Sequence, residues 1–137
     1  MSQSQRVLVA DSSKYFDSSI WRMLIPEPEF TIIGLAKTIK ETIKMAANLS
    51  PDIILADLSH SELRSLQTII ALHASHPDIP IIVFSLVSSQ EYTQAVLKAG
   101  ASACLAKSDI AEMLPQTLYS LVPPQTISTS ALSYGQG

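Results

Sequence analysis

The sequence predicts a doubly wound α/β fold built on a five-stranded parallel sheet. Short apolar runs alternate with longer segments of helical period five times along the chain. Each run is hydrophobic at nearly every position rather than at every second one, which is typical of strands covered by helices on both faces. A length of 137 residues fits one domain of ordinary size. We therefore expect one sheet, one core and one site.

The five apolar runs are the predicted strands. They are residues 7–10, 30–33, 53–56, 81–84 and 103–106. Connections of this length between parallel strands are right-handed, and the flavodoxin-like strand order 2-1-3-4-5 fits five strands best. In that order the topological switch point lies between the first and third strands, and ligands bind there, beyond the carboxyl ends of the strands.

The segments between the strands carry apolar residues at helical spacing. We expect helices within residues 16–24, 39–46, 63–73, 92–99 and 110–121. The third should bury Leu63, Leu66, Ile70 and His73 on one face. The fourth should begin at the capping box of Ser88 and Glu91 and end at Gly100. The fifth begins either near Asp109 or close to Pro115, because a proline inside a helix removes one hydrogen bond.

Composition excludes several classes of function. The net charge is −3, and the nine Lys and Arg residues form no dense cluster that would indicate nucleic-acid or anionic-lipid binding. Cys104 is the only cysteine, so neither an intrachain disulfide nor a paired-cysteine metal motif is expected. The polar N-terminus and the lack of an apolar run of about 20 residues predict no signal peptide and no membrane span. We expect a cytoplasmic protein.

A polar residue immediately follows four of the apolar runs. These residues are Asp11, Asp57, Ser85 and Lys107, after the first, third, fourth and fifth runs. In a parallel sheet they share one edge, where two carboxylates, a hydroxyl and an ammonium can hold Mg²⁺ together with a phosphoryl group. Asp57 would be the nucleophile that forms an aspartyl-phosphate, and Lys107 and Ser85 would hold the phosphoryl oxygens.

Three segments resemble those of response-regulator receiver domains with the CheY-like fold, and are most similar to receivers of helix-turn-helix regulators of the LuxR/NarL type. They are residues 6–13, 51–57 and 98–107, and the resemblance covers residues 5–122. It implies phosphorylation of Asp57 by a sensor histidine kinase or phosphotransfer protein, with Mg²⁺ bound by Asp11, Asp57 and the backbone carbonyl of Ser59. It also implies a signalling domain rather than an enzyme, with no chemistry beyond gain and loss of the phosphoryl group.

The same resemblance implies an output surface formed by the fourth helix, the fifth strand and the fifth helix, through which a homodimer would form. Residues 123–137 follow the domain as a linker or tail, since Pro123 and Pro124 end regular structure and Ser, Thr and Gly dominate afterwards. In many such regulators a helix-turn-helix effector follows that linker.

The sequence departs from the family after two strands. Ser12 stands where receivers usually carry a second acid, so metal binding should be weaker, with Ser12 holding at most a coordinated water. Residues 58–63 replace the usual loop after the phosphoacceptor, and Cys104 takes the place of a switch aromatic. Ser12 and the altered loop motivate an alternative function, a degenerate receiver that binds partners without phosphorylation. A phosphatase with an aspartate nucleophile would need an acid at Ser59.

Overall fold

The five predicted strands form one parallel sheet in the computed structural model, which describes residues 4–11, 28–57, 62–85 and 89–121. The sheet order is β2-β1-β3-β4-β5, which confirms the predicted fold class. The strands are β1 Gln5–Asp11, β2 Phe30–Ala36, β3 Ile53–Asp57, β4 Ile81–Ser85 and β5 Ala103–Ala106. All neighbouring pairs are parallel.

Four helices connect or follow the described strands. They are α1 Ile39–Leu49, α2 Glu62–Ser75, α3 Gln90–Ala99 and α4 Ile110–Leu121. The helix predicted within residues 16–24 lies outside the described residues, so numbering starts with the helix after β2. In the parts of the chain that the structure describes, no helix is long and apolar enough to span a bilayer.

Alternating side chains of the central strands feed two apolar clusters, one on each face of the sheet. The first joins Val7, Val9 and Leu55 to Leu114 and Leu118 of α4. The second contains the intervening strand residues and side chains from α1, α2 and α3: Leu8, Ala10, Ile54, Ala56, Ala46, Ile69, Leu72 and Val96. Each fully buried Leu or Ile contributes about 2 kcal/mol relative to an exposed position. Burial on both faces explains why these strands show no alternation in sequence.

The predicted buried face of α2 is confirmed at Leu66, which packs against the second cluster, and is wrong at Ile70 and His73. The side chain of Leu63 lies outside what the structure describes. Ile70 is 55% exposed and His73 is also exposed, whereas Ile69 and Leu72 are fully buried. The helix is rotated so that Ile69 and Leu72, three residues apart, cover the sheet.

The ends of α3 agree only in part with the sequence prediction. The N-cap is Ser89 rather than Ser88, and its Oγ accepts a hydrogen bond of 3.1 Å from the backbone N–H of Tyr92. Gly100 ends the helix as predicted, with a φ of 125° that favours glycine. The close approach of His73 adds a second reason for glycine, because a Cβ on Gly100 would lie 2.6 Å from the Cβ of His73.

Of the two predicted starts for the last helix, the structure has the earlier one. A 3₁₀ turn, Lys107–Asp109, runs directly into α4, and Pro115 lies inside the helix. Near this proline, the side chains of Gln116 and Thr117 donate hydrogen bonds to the carbonyl oxygens of Glu112 and Met113.

A variant of the capping box, in which Glu41 accepts from the residue before the N-cap, starts α1 at the carboxyl edge of the sheet. The Oγ1 of Thr38 accepts a hydrogen bond of 3.0 Å from the Glu41 N–H, and the Oε1 of Glu41 accepts one of 2.5 Å from the Lys37 N–H. This reciprocal pairing satisfies backbone donors at the helix start and fixes the backbone of Lys37.

Arg6 secures the other end of α1. Its Nη1 donates hydrogen bonds of 2.5 Å to the carbonyl of Leu49 and of 2.9 Å to that of Ser50. Ser50 is in the left-handed region, at φ 48° and ψ 61°, which a non-glycine residue adopts at a cost of about 1 kcal/mol. The cation offsets the partial negative charge of the helix C-terminus.

The edge strand β2 contains one extra residue. Val7 of β1 pairs with Ile32, but the next residue, Leu8, pairs with Gly34, so Ile33 forms a bulge. A Cβ on Gly34 would lie 2.6 Å from the Cε of Met45. A larger residue at this position would therefore require the end of the Met45 side chain to move.

Candidate functional site

The strand register brings the two predicted aspartates together. In the pairing of β1 with β3, Asp11 is the partner of Asp57, and both are the last residues of their strands. Adjacent strands lie about 4.8 Å apart, so the two backbones are neighbours at the carboxyl edge. The topological switch point of the sheet lies at this edge, between β1 and β3.

Asp57 is a buried carboxylate. It is 1% exposed and follows four strand residues that are themselves buried. It is the one buried carboxylate among the residues whose burial the structure describes. Removing a charged group from water is costly unless neighbouring polar groups or a cation compensate for the loss of solvation. A buried carboxylate at this position therefore indicates a chemical role.

Ser85 and Lys107 end up at the same edge. Ser85 is the last residue of β4, is 2% exposed and pairs with Ala106 of β5. Lys107 follows Ala106 directly and begins the 3₁₀ turn. The four residues that the sequence analysis selected therefore stand at the carboxyl ends of four strands, β1, β3, β4 and β5. Ser12 and Ser59 lie outside the described residues.

The paired aspartates have the donor chemistry that Mg²⁺ prefers. This ion is usually bound through one or two carboxylates, with waters and phosphate oxygens filling the other positions. In the described part of the chain, no group of three or more His, Cys, Asp or Glu residues forms a cage for a metal. Two carboxylate residues at neighbouring strand ends have the chemistry of an Mg²⁺ site of this kind.

Cys104 lies in β5, opposite Val83 of β4. It is half-buried and packs against the cluster that contains Tyr92 and Val96 of α3. Burial raises the pKa of its thiol, and a hydrogen bond with the side chain of Thr93 lowers the pKa in part. A thiol with a raised pKa is a poor nucleophile at neutral pH, so the contacts of Cys104 indicate a role in packing.

One charged residue at this edge was missed by the sequence analysis. Ala10 pairs with Ala36, the last residue of β2, so the next residues along the two strands are Asp11 and Lys37. Lys37 is exposed. The rule that found the other residues, a polar side chain directly after an apolar run, would have found Lys37. The predicted second strand ended at residue 33, three residues before the end of β2 at Ala36, because Gly34 interrupts the run.

Comparison with known proteins identifies the class to which this fold and site belong. Residues 7–118 match the response regulator receiver domain family, and the chain belongs to that family. The resemblance predicted from the sequence is thereby confirmed.

Its relatives are regulators of several kinds. The chain is 27% identical to the transcriptional regulatory protein DegU of Brevibacillus brevis over 80% of its own length and 46% of that protein. It is 31% identical to the response regulator GacA of Pseudomonas viridiflava, over 80% of this chain and 51% of the relative. The chain thus spans about half the length of these curated relatives.

Solved structures show the same fold. The response regulator domain of Thermotoga maritima CheB superimposes with a TM-score of 0.76 at 22% identity, covering 89% of this chain and all of that one. The isolated REC domain of RcsB from Salmonella enterica serovar Typhimurium, determined in the presence of phosphomimetic BeF₃⁻, gives a TM-score of 0.76 at 19% identity. That match covers 93% of this chain and 98% of the RcsB domain.

Proposed function

We propose that this domain receives a phosphoryl group on Asp57 from a histidine kinase or phosphotransfer protein and thereby switches a partner or effector. The observation that carries the proposal is the pairing of Asp11 with a buried Asp57 at the sheet edge. Membership of the receiver family supports it, as does the similarity to an RcsB domain determined with a phosphomimetic. The setting we propose is the cytoplasm.

The chemistry assigned to Asp57 is nucleophilic. One carboxylate oxygen attacks the phosphorus, the new O–P bond forms, and the P–N bond to the donor histidine breaks with its electron pair returning to the imidazole, which takes up a proton. With a small donor such as acetyl phosphate, the leaving group is acetate. Mg²⁺, when bound, supplies positive charge that reduces repulsion between the carboxylate and the incoming phosphoryl oxygens.

The remaining site residues have binding roles in this proposal. Asp11 and Asp57 would hold Mg²⁺ with the backbone carbonyl of Ser59, and Ser12 would hold a coordinated water. The Ser85 hydroxyl and the Lys107 ammonium would donate hydrogen bonds to the phosphoryl oxygens. Their places at the ends of β4 and β5 support these roles.

Output and organisation complete the proposal. Residues 5–122 form the receiver and residues 123–137 a linker to a partner or effector. The surface formed by α3, β5 and α4 is proposed to carry a homodimer contact. Exposed apolar side chains on α3 and α4 support it, since Leu97 is 41% and Met113 is 37% exposed.

The test is intact mass spectrometry after incubation with acetyl phosphate and Mg²⁺. Wild type should gain one phosphoryl group, Asp57→Asn should gain none, and chelation of Mg²⁺ should abolish the gain. Asp78→Asn is the matched control, because Asp78 is an exposed aspartate at the opposite edge of the sheet, before β4. Equal labelling of wild type and Asp57→Asn would overturn the proposal. No labelling of wild type would favour the degenerate receiver instead.

A further inference from the structure

A row of charged residues crosses the carboxyl edge of the sheet. The register places Asp57 beside Asp11, and the residue that follows the last β1–β2 pair on β2 is Lys37. Paired strands lie about 4.8 Å apart, so Lys37 follows a backbone that is about 5 Å from β1 and about 10 Å from β3. The row therefore runs from a cation to two carboxylates.

Lys37 is fixed at its backbone and exposed at its side chain. Its N–H donates to the Oε1 of Glu41 in the capping box of α1, so the residue is part of an ordered helix start. Lys40, in the first turn of the same helix, is also exposed. Segment 37–41 contains two lysines and one glutamate, which leaves one net positive charge beside an acidic pair.

Two opposite effects on the site follow from this charge. A phosphoryl donor is anionic and must approach two carboxylates, so a nearby ammonium lowers the repulsion and raises the rate of encounter. A divalent cation binding to Asp11 and Asp57 is repelled by the same ammonium. Because only one strand separates Lys37 from Asp57, both effects should be measurable at low salt, where the Debye length is about 10 Å or more.

We propose that Lys37 is an electrostatic guide at the phosphorylation site, which attracts the anionic phosphoryl donor and weakens the binding of Mg²⁺. Lys40, three residues further along the chain, adds to the same positive electrostatic field. This inference rests on the proposed function, because it assigns a role toward the donor and the metal of that site. The positive charge of Lys37 also makes phosphorylation of the domain more dependent on Mg²⁺ concentration than it would be with the two carboxylates alone.

The experiment measures two quantities for Lys37→Gln. The first is the second-order rate of phosphorylation by acetyl phosphate at saturating Mg²⁺, which should fall about two- to fourfold at low salt. The second is the affinity for Mg²⁺ alone, followed through the amide NMR signals of residues 54–57, which should rise by a similar factor. In about 1 M salt, where the Debye length is about 3 Å, both differences should disappear.

Matched variants separate charge from structural damage. Lys37→Arg keeps the charge and should behave as wild type in both measurements. Lys44→Gln removes an equally exposed lysine one turn further from the rim, and Lys98→Gln removes one at the amino edge of the sheet, so both should have smaller effects. A misfolded variant would lose rate and Mg²⁺ affinity together, whereas the guide predicts opposite signs.

The outcomes are decisive. Opposite changes in rate and Mg²⁺ affinity for Lys37→Gln alone support the guide. An unchanged Mg²⁺ affinity, or an equal effect of Lys44→Gln, overturns it. If wild type takes up no phosphoryl group, the proposed function fails, and the Mg²⁺ titration by itself still decides whether the Lys37 charge acts on the aspartate pair.

Discussion

The contacts of Cys104, on β5 beside α3, set the pKa of its thiol. Burial against the cluster around α3 raises its pKa, and the hydrogen bond with Thr93 works in the opposite direction. Because the folded state then holds the thiol proton more tightly than the unfolded chain, its contribution to stability is complete below the ordinary thiol pKa of about 8.5. The contribution is lost as the pH rises through the higher pKa of the folded state.

Removing the hydrogen bond should make the thiol less acidic. In Thr93→Val, the thiolate loses its donor, so the pH at which alkylation by iodoacetamide becomes fast should move upward from the wild-type value. The rate is measured on native protein between pH 7 and pH 10. Thr31→Val, at an exposed site on β2, is the control and should leave the profile unchanged. A downward shift in Thr93→Val would show that the hydrogen bond does not favour the thiolate.

At the scale of the element, α1 ends in a strained residue. Ser50 is exposed and has a φ of 48°, and its carbonyl and that of Leu49 accept from Arg6. The backbone hydrogen bond from Ser50 to the Ala46 carbonyl closes the helix and does not depend on the side chain. The cost of the left-handed conformation therefore belongs to the Cβ of Ser50 alone.

Ser50→Gly should stabilise the protein by about 1 kcal/mol, less the added entropy of the unfolded chain. The measurement is the urea midpoint at constant slope. Ser50→Ala keeps the Cβ and should bring no gain. Arg6→Gln should lower the stability of wild type and of Ser50→Gly by the same amount, because Arg6 binds backbone carbonyls that both proteins retain. A loss of stability in Ser50→Gly would contradict this account of the helix end.

The helices also show where sequence periodicity is insufficient. In α2, Leu66 could share a face with Ile69 at i+3 or with Ile70 at i+4. The first pattern continues to Leu72 and the second to His73, so the sequence alone does not distinguish them. The structure buries Ile69 and exposes Ile70 because the rotation of the helix is set by its packing on the sheet. In α3, the prediction took Ser88 as the N-cap, and the geometry of the first turn shows that the cap is the next residue, Ser89.

At the scale of the whole molecule, the sheet separates two apolar clusters. Ile53 belongs to the cluster under α4, and Ile69 belongs to the one under α1, α2 and α3. Both are fully or almost fully buried, at 1% and 0% exposure. A side chain in one cluster reaches the other only through the backbone of the strands.

Substitutions in the two clusters should therefore be additive. Ile53→Val and Ile69→Val should each cost about 1 kcal/mol, and the double variant should cost their sum within about 0.5 kcal/mol. Urea denaturation of the four proteins gives the coupling free energy. A coupling well above that limit would mean that the strands transmit packing strain from one face to the other.

The order of the sheet and the positions of four polar residues at its rim followed from the sequence, because strands buried on both faces give continuous apolar runs that end at polar residues. Asp57 and Ser85 were found in this way. Lys37 was not, because Gly34 and the bulge at Ile33 made β2 look shorter than it is. Register across a sheet depends on pairing between distant segments, which a single strand's sequence does not encode.

The bulge at Ile33 also bears on how the domain behaves in concentrated solution. In the described sheet, β2 and β5 are the outermost strands, and an outermost strand can template the addition of a strand from another molecule. β5 has only four residues. β2 has seven and carries no charged side chain, but its extra residue breaks the regular spacing of donors and acceptors that an incoming strand would need. The irregularity thus protects an apolar edge against amyloid-like growth without placing a charge there.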